Sequence, residues 1–263
     1  MSLVKPKTAL ISLSDKTNLK ELINFLISKD VKIISTGGTY KAIKEITNNI
    51  IEVSEFTGFD EMMNGRVKTL HPKIHAGILA RRDSDMEALE DNNYEPIDLV
   101  VVNLYPFKET VASDCTFEEA VEKIDIGGPT MIRAAAKNFQ DVVVLSDPDD
   151  YEKLINEWEN DGGVSYESRK IFAHKVFETM ADYNQAISSY ISNEISNVIP
   201  SYSFSKSSKL RYGENPHQSA TLHTFSNLKR KNIANSEIIQ GKELSYNNIV
   251  DADAAWECVK EFD

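Results

Sequence analysis

The chain has 263 residues, 41% of them hydrophobic and 27% charged, with a formal net charge of −12. That length admits one large or two ordinary domains and that composition a soluble globular protein, while the acidic balance excludes a nucleic-acid binder with a general basic face and leaves room for a local basic pocket. Two cysteines without CxxC spacing, Cys115 and Cys258, exclude a disulfide scaffold or zinc site; no long apolar run or signal peptide marks a membrane or secretory route, so a cytoplasmic protein is expected.

Residues 8 to 14, TALISLS, are short and apolar, as a buried strand requires, and Leu19, Leu22, Ile23 and Leu26 follow at helical spacing, with Ser14 or Asp15 placed to cap the helix. The loop Ser12-Leu13-Ser14-Asp15-Lys16-Thr17 thus offers hydroxyls, a cation and helix-start amides to an anion. Capping alone would equally explain Ser14. The construction repeats: a strand at 31 to 35, the turn Ser35-Thr36-Gly37-Gly38-Thr39, and a helix at 40 to 46. Paired glycines let amides approach a phosphate, although the turn is neither a Walker A loop nor GxGxxG.

A third strand at 50 to 53 precedes a polar run, 54 to 77, expected to line a site rather than a core. Within it Arg66, with a planar fork, and Lys68, a movable point charge, suit an anionic ligand; a solvated basic loop reads equally well from residue types alone. His71 and His75 flank Pro72 with no adjacent Cys or carboxylate, so no metal site is expected. After a surface helix and loop at 84 to 93, the run 97 to 104 reads as a strand buried on both faces, with Asn103 and Tyr105 at its exit before Pro106. A short helix at 116 to 123 leads to the second glycine turn, Ile126-Gly127-Gly128-Pro129, which opens a helix reaching Lys137, and 141 to 145 is a fifth strand. Whether Asp125 and Lys137 meet is left to the fold.

The alternation of strands and helices over 1 to 147 indicates an α/β core with a mainly parallel sheet. Helices follow at 150 to 159 and 165 to 194, the second with a stripe of Ile171, Val176, Phe177, Met180, Tyr183, Ile187 and Tyr190, within which His174 reads as a packing or capping residue. A Ser-rich linker is expected at 195 to 209, then a polar cluster at 210 to 218 and a helix at 251 to 262.

Six motifs in order, SLSDKT (12 to 17), STGGT (35 to 39), SEFTGFDEMMNGRVKTLHPKIHAGILARR (54 to 82), VVNLYPF (101 to 107), IDIGGPTMIRAAAKN (124 to 138) and LRYGENPHQ (210 to 218), resemble the bifunctional purine-biosynthesis family that combines AICAR transformylase with IMP cyclohydrolase. The resemblance implies a methylglyoxal-synthase-like domain with a mainly parallel sheet, then helices and the start of a second α/β domain. It implies an IMP cyclohydrolase domain over 1 to 197 and a truncated transformylase domain over 198 to 263, the family's Lys-His pair for formyl transfer falling beyond this chain. The expected reaction is dehydrative closure of FAICAR to IMP, without metal or redox cofactor. AICAR and the co-substrate 10-formyltetrahydrofolate belong to the full-length protein, and formyl transfer by this chain is not expected.

By the same resemblance Ser12, Ser14, Asp15, Lys16, Thr36, Gly37, Gly38, Thr39, Arg66, Val67 and Thr69 face the phosphate and ribose, and Val102, Asn103, Asp125, Ile126 and Gly127 the base and carboxamide. Lys68, Tyr105, Asp125 and Lys137 supply proton transfer and charge stabilisation; the family gives that transfer to Lys137, while the residues alone do not rank it against Lys68. Arg211 and Tyr212 match AICAR contacts of the transformylase site. The implied partners are purine ribonucleotides and a second copy in a homodimer, with neither nucleic acid nor membrane. A phosphate lyase or a nucleotide-sensing domain on the same fold is the alternative, since fold does not dictate function.

Overall fold

A computed structural model describes residues 3–112, 115–195, 204–225 and 232–262. The chain divides into two compact units, Met1–Ile187 and Ser188–Asp263. The expected domain boundary at 197/198 lies outside the described residues.

In the first unit β1 (Thr8–Leu13), α1 (Leu19–Ser28), β2 (Lys32–Ser35), α2 (Gly37–Lys44), β3 (Ile51–Glu52), α3 (Val53–Thr57), α4 (Pro72–Leu79), α5 (Met86–Asp91), β4 (Leu99–Asn103), α6 (Phe107–Ala112), α7 (Phe117–Glu122), α8 (Gly127–Lys137), β5 (Val143–Leu145), α9 (Tyr151–Asp161) and α10 (Tyr166–Ser192) follow one another. The strands form one parallel sheet in the order β3-β2-β1-β4-β5. Their unbroken apolar runs reflect helical cover of a parallel sheet: Ala9, Leu10, Ile11, Ile34, Val100, Val101, Val143 and Val144 are fully buried. The chain builds outward from β1 to β3, then returns to the other side of β1 with β4. The β1/β4 junction is therefore a topological switch point, and in open α/β sheets ligands collect beyond the strand carboxyl ends there.

Several elements depart from the expectations. The α1 N-cap is Asn18, in the left-handed region at φ 58 and without a side-chain cap, so neither Ser14 nor Asp15 caps it. Asp15 instead accepts the N–H and hydroxyl of Thr17. Helix α2 starts at Gly37, so the glycine pair lies inside its first turn. The run 54 to 77 is not uniformly polar: α4 takes Pro72 at its first turn, His71 Nδ1 accepts the Lys73 N–H as its cap, and Ile74 is fully buried. Helix α6 was not anticipated: Pro106, expected only to end a strand, supplies the carbonyl that accepts the Thr110 N–H at the start of the helix. Along α10, Ile171 and Phe177 are exposed while Phe172, Ala173, Val176, Met180, Tyr183 and Ala186 are buried. His174 is exposed and faces Glu178, so it neither packs nor caps.

In the second unit β6 (Phe204–Lys209) pairs antiparallel with β7 (Thr221–Phe225), and α11 (Tyr246–Val259) follows. The Ser-rich stretch is thus a strand from residue 204 onward; its residues 196 to 203 lie outside the described set. Ser245 and Asn248 close a capping box on α11, which starts five residues earlier than its apolar spacing suggests.

Candidate active site

The site grows from the switch point. Asn103 ends β4, and its Oδ1 accepts the N–H groups of Ser14 (2.7 Å) and Asp15 (3.0 Å), while its Nδ2 donates to the Asp15 carbonyl (2.7 Å). Those two amides, expected to face an anion, are committed to Asn103, which staples the loop after β1 to the end of β4. Ser12 stands beside Val102 in the sheet register and shares a 2.9 Å hydrogen bond with the Thr36 hydroxyl. Val102 is buried, so its side chain belongs to the core. Thr39 is consumed internally as well: its hydroxyl accepts the Leu13 N–H (2.8 Å) and donates to the Leu13 carbonyl (3.0 Å). Lys16 folds back to the Leu13 and Ser14 carbonyls.

The first turn of α2 keeps the character expected of an anion cradle. Thr36 is extended and makes no side-chain cap, and Gly37 sits at φ 45, where a side chain would be strained. The first bonds of the turn run from Thr39 and Tyr40 N–H to the Thr36 carbonyl, so the N–H groups of Gly37 and Gly38 stand ahead of the intrahelical ladder. A cation flanks them: a methyl group on Gly37 would lie 3.4 Å from Lys68 Nζ.

Lys68 is held in turn by Glu61, whose Oε2 lies 2.6 Å from Nζ. This bond holds the Glu61 carboxyl below the usual carboxylate range. Glu61 starts a hairpin in which Met62 and Val67 exchange backbone hydrogen bonds around Met63, Asn64 and Gly65, all at positive φ. Arg66, at its base, pairs with Glu122 at 3.4 Å, both side chains largely exposed. Thr69, by contrast, is buried: a methyl group on Gly127 would meet its hydroxyl at 2.6 Å, so glycine is required where this loop reaches the start of α8.

That start carries the acid. Asp125 Oδ1 accepts the Gly128 N–H at 2.9 Å. Burial pushes the Asp125 pKa up, outweighing the Gly128, Gly127 and Tyr105 peptide N–H groups, which favour the charged form. A methyl on Gly128 would meet Asp125 Oδ2 at 2.5 Å and Leu104 at 2.9 Å, so the close turn needs this glycine too. Tyr105 and Ile126, 56% and 54% exposed, flank the carboxyl with their side chains open to solvent.

The fold therefore gathers Ser12, Ser14, Asp15, Lys16, Thr36, Gly37 and Lys68 around the β1 and β2 exits, and Asn103, Tyr105, Thr69, Asp125, Ile126 and Gly127 around the β4 exit and the α8 start. Lys137 is held apart. It closes α8, exposed, ten residues beyond Gly127, or about 15 Å of helical rise. Arg211 and Tyr212 belong to the second unit, where the guanidinium lies 4.9 Å from the tyrosine ring centre and reaches Asn248 Oδ1. Hydrogen bonds, first from Ser245 and then from Arg211, lower the Tyr212 phenol pKa.

Sequence reasoning missed Glu61 and assigned Tyr183 to a packing stripe. Acidity beside a basic motif was the available signal for the first; nothing local marks the second. Among the described residues no cluster of three or more His, Cys, Asp or Glu could hold a metal ion, and no helix is long and apolar enough to cross a membrane.

Residues 18–130 match the family model described as an MGS-like domain, and residues 135–263 the one described as the AICARFT/IMPCHase bienzyme. The chain is 54% identical over 258 residues to the bifunctional purine biosynthesis protein PurH of Clostridium botulinum (strain Loch Maree / Type A3), covering 97% of this chain and 52% of that protein. It is 53% identical to the PurH protein of Clostridium beijerinckii over 262 residues, covering 98% and 52% respectively. The chain thus spans about half the length of the curated relatives it matches. Among solved structures, that of ForH superposes with a TM-score of 0.61 at 32% identity, covering 72% of this chain and all of that one.

Proposed function

This chain belongs to the AICARFT/IMPCHase bienzyme family, and on that premise we propose that its first unit is an IMP cyclohydrolase, closing the purine ring of FAICAR to give IMP and water. In that reaction the carboxamide nitrogen attacks the formyl carbon and gives up a proton while the formyl oxygen gains one, and the resulting carbinolamine loses that hydroxyl together with the formamido N–H proton as water. Nucleophile and electrophile share one molecule, so orientation supplies much of the rate, and the remainder is proton transfer and stabilisation of a developing oxyanion.

The single observation that carries the reading is the half-buried carboxyl of Asp125, which accepts the Gly128 N–H at the start of α8, where the loop carrying Lys68 and Thr69 reaches Gly127. A carboxyl whose pKa is raised by burial is better matched to accept and return a proton than an exposed one. In this reading Gly37, Gly38, Thr36, Lys16 and Arg66 receive the 5′-phosphate and ribose, and the substrate displaces Glu61 from Lys68. Asn103 and the Ile126-Gly127 backbone orient the carboxamide side, while Asp125, Tyr105 and Lys68 serve the reacting atoms. Ser12, Asp15 and Thr39 support the cradle more than they touch the ligand, since their side chains are engaged within the fold, while Ser14 offers its hydroxyl. Lys137 keeps its proton-transfer role from the family likeness alone, as does pairing of two copies into a homodimer.

The division into a cyclohydrolase domain over 1 to 197 and the beginning of a transformylase domain over 198 to 263 is part of the same proposal. So are 10-formyltetrahydrofolate as co-substrate of the longer protein, a cofactor-free cyclohydrolase and a cytoplasmic location. The test is direct: the chain is incubated with FAICAR and formation of IMP is followed. Steady IMP formation is expected, and its absence from folded protein would remove the proposal.

A further inference from the structure

Asp125 is gripped from both ends. Its carboxyl accepts the Gly128 N–H at 2.9 Å, and its own backbone N–H donates to the Tyr183 hydroxyl at 2.8 Å, across 58 residues of chain. Tyr183 stands on α10, only 8% exposed, in the buried row that also contains Val176 and Met180. Its ring meets Phe107 edge-on at 6.2 Å, and the Phe107 N–H donates to the Tyr105 carbonyl at 2.8 Å. One side chain thus touches both segments that deliver reacting groups to the site, the Asp125 turn through a hydrogen bond and the Tyr105–Pro106–Phe107 turn through a ring contact. Both segments are loops, and a loop is no more precise than the rigid element behind it. Burial raises the Tyr183 phenol pKa, so the hydroxyl stays neutral at physiological pH.

We propose that Tyr183 is a positioning residue for ring closure: by accepting the Asp125 N–H and packing on Phe107, it holds the Asp125 carboxyl and the Tyr105 turn in register with each other. The inference rests on the cyclohydrolase reading of the site. A misplacement of about 1 Å at reacting groups costs far more rate than binding, so the effect belongs in kcat rather than KM.

Tyr183→Phe keeps the ring and removes only the hydroxyl. The expected result is a kcat for FAICAR lowered about tenfold with KM within about twofold, as for an interaction felt mainly in the transition state. Exchange of the Asp125 amide with solvent should accelerate about tenfold or more, the scale of losing one hydrogen bond, while amides of β1 and β4 keep wild-type rates. A kcat within about twofold of wild type in the Phe variant would overturn the proposal, whatever the exchange rates, because Tyr183 would then be a packing residue only. Should the wild-type chain itself fail to turn over FAICAR, the cyclohydrolase reading falls separately. The Asp125 amide then decides alone: faster exchange in Tyr183→Phe supports the grip on the turn, and an unchanged rate refutes it.

Discussion

The two compact units of this chain are built from similar residue types and differ in whether their layers close. In the first, a five-stranded parallel sheet is covered by helices and its central strands are fully buried, so loops at the strand exits have a rigid base. In the second, a two-stranded antiparallel ribbon and α11 are described, and α11 has no buried residue; Ile239 is 93% and Phe262 78% exposed. A two-stranded ribbon is marginal by itself, because it offers no second layer against which to bury a face. The comparison teaches that a site motif needs a rigid base as well as the right residue types. The motif at 210 to 218 is as polar as the one at 65 to 81, but among the described residues only the latter lies in a unit with a helix-covered sheet.

The sharpest break in the comparison would be formyl transfer. With AICAR and 10-formyltetrahydrofolate, this chain should form no detectable tetrahydrofolate, since the groups of such a site act as a unit and, among the described residues of the second unit, α11 buries none. Robust turnover would mean that residues 188 to 263 carry a working site after all.

Within the first unit, Asp125→Asn should lower FAICAR turnover by about 10²- to 10³-fold, the range for a positioned proton-transfer group. The same variant should melt no lower, and somewhat higher, than wild type at pH 7. The sign follows from the raised pKa: the folded state binds the Asp125 proton more tightly than the unfolded state, so this group's contribution falls as pH rises from the unfolded value through the folded one. Above that window the desolvated carboxylate carries this cost, and a neutral amide removes it. A drop in melting temperature at pH 7 alongside lost activity would mark Asp125 as structural.

Next in size is Lys137→Ala, expected from the family likeness to cost about 10²-fold in turnover. The exposed position at the far end of α8 makes this the variant that most sharpens the map of the site. Turnover within about fivefold of wild type would leave Asp125, Lys68 and Tyr105 as the reacting set, with Lys137 a cation that complements the α8 dipole.

The smallest expected effects compare the cores directly. Leu22→Ala, at a fully buried position of α1, should destabilise the first unit by about 2–5 kcal/mol, whereas Val259→Ala, 63% exposed on α11, should change stability by less than about 0.5 kcal/mol. Chemical denaturation followed by circular dichroism measures both. A large loss for Val259→Ala would show that α11 has an apolar partner in solution.

The sequence by itself determined the α/β alternation, the five parallel-sheet strands and the two glycine turns, because these follow from patterns of a few adjacent residues: period-free apolar strands, helical apolar stripes, and paired glycines between them. It also singled out Lys68 and Asp125, whose types suit the chemistry wherever they are placed. What only the tertiary structure decided is how each polar group is used. Asn103 and Thr39 are committed to loop and strand exits 88 or 89 and 26 residues away, and Lys68 waits on Glu61. Helix α8 separates Lys137 from Asp125 although their spacing left the matter open, and Tyr183 lies in an apolar stripe that conceals its bond to Asp125. The physical reason is common to all of these: hydrophobic periodicity is local and survives in one dimension, whereas a hydrogen bond spends its directional capacity on whichever partner the fold brings within about 3 Å.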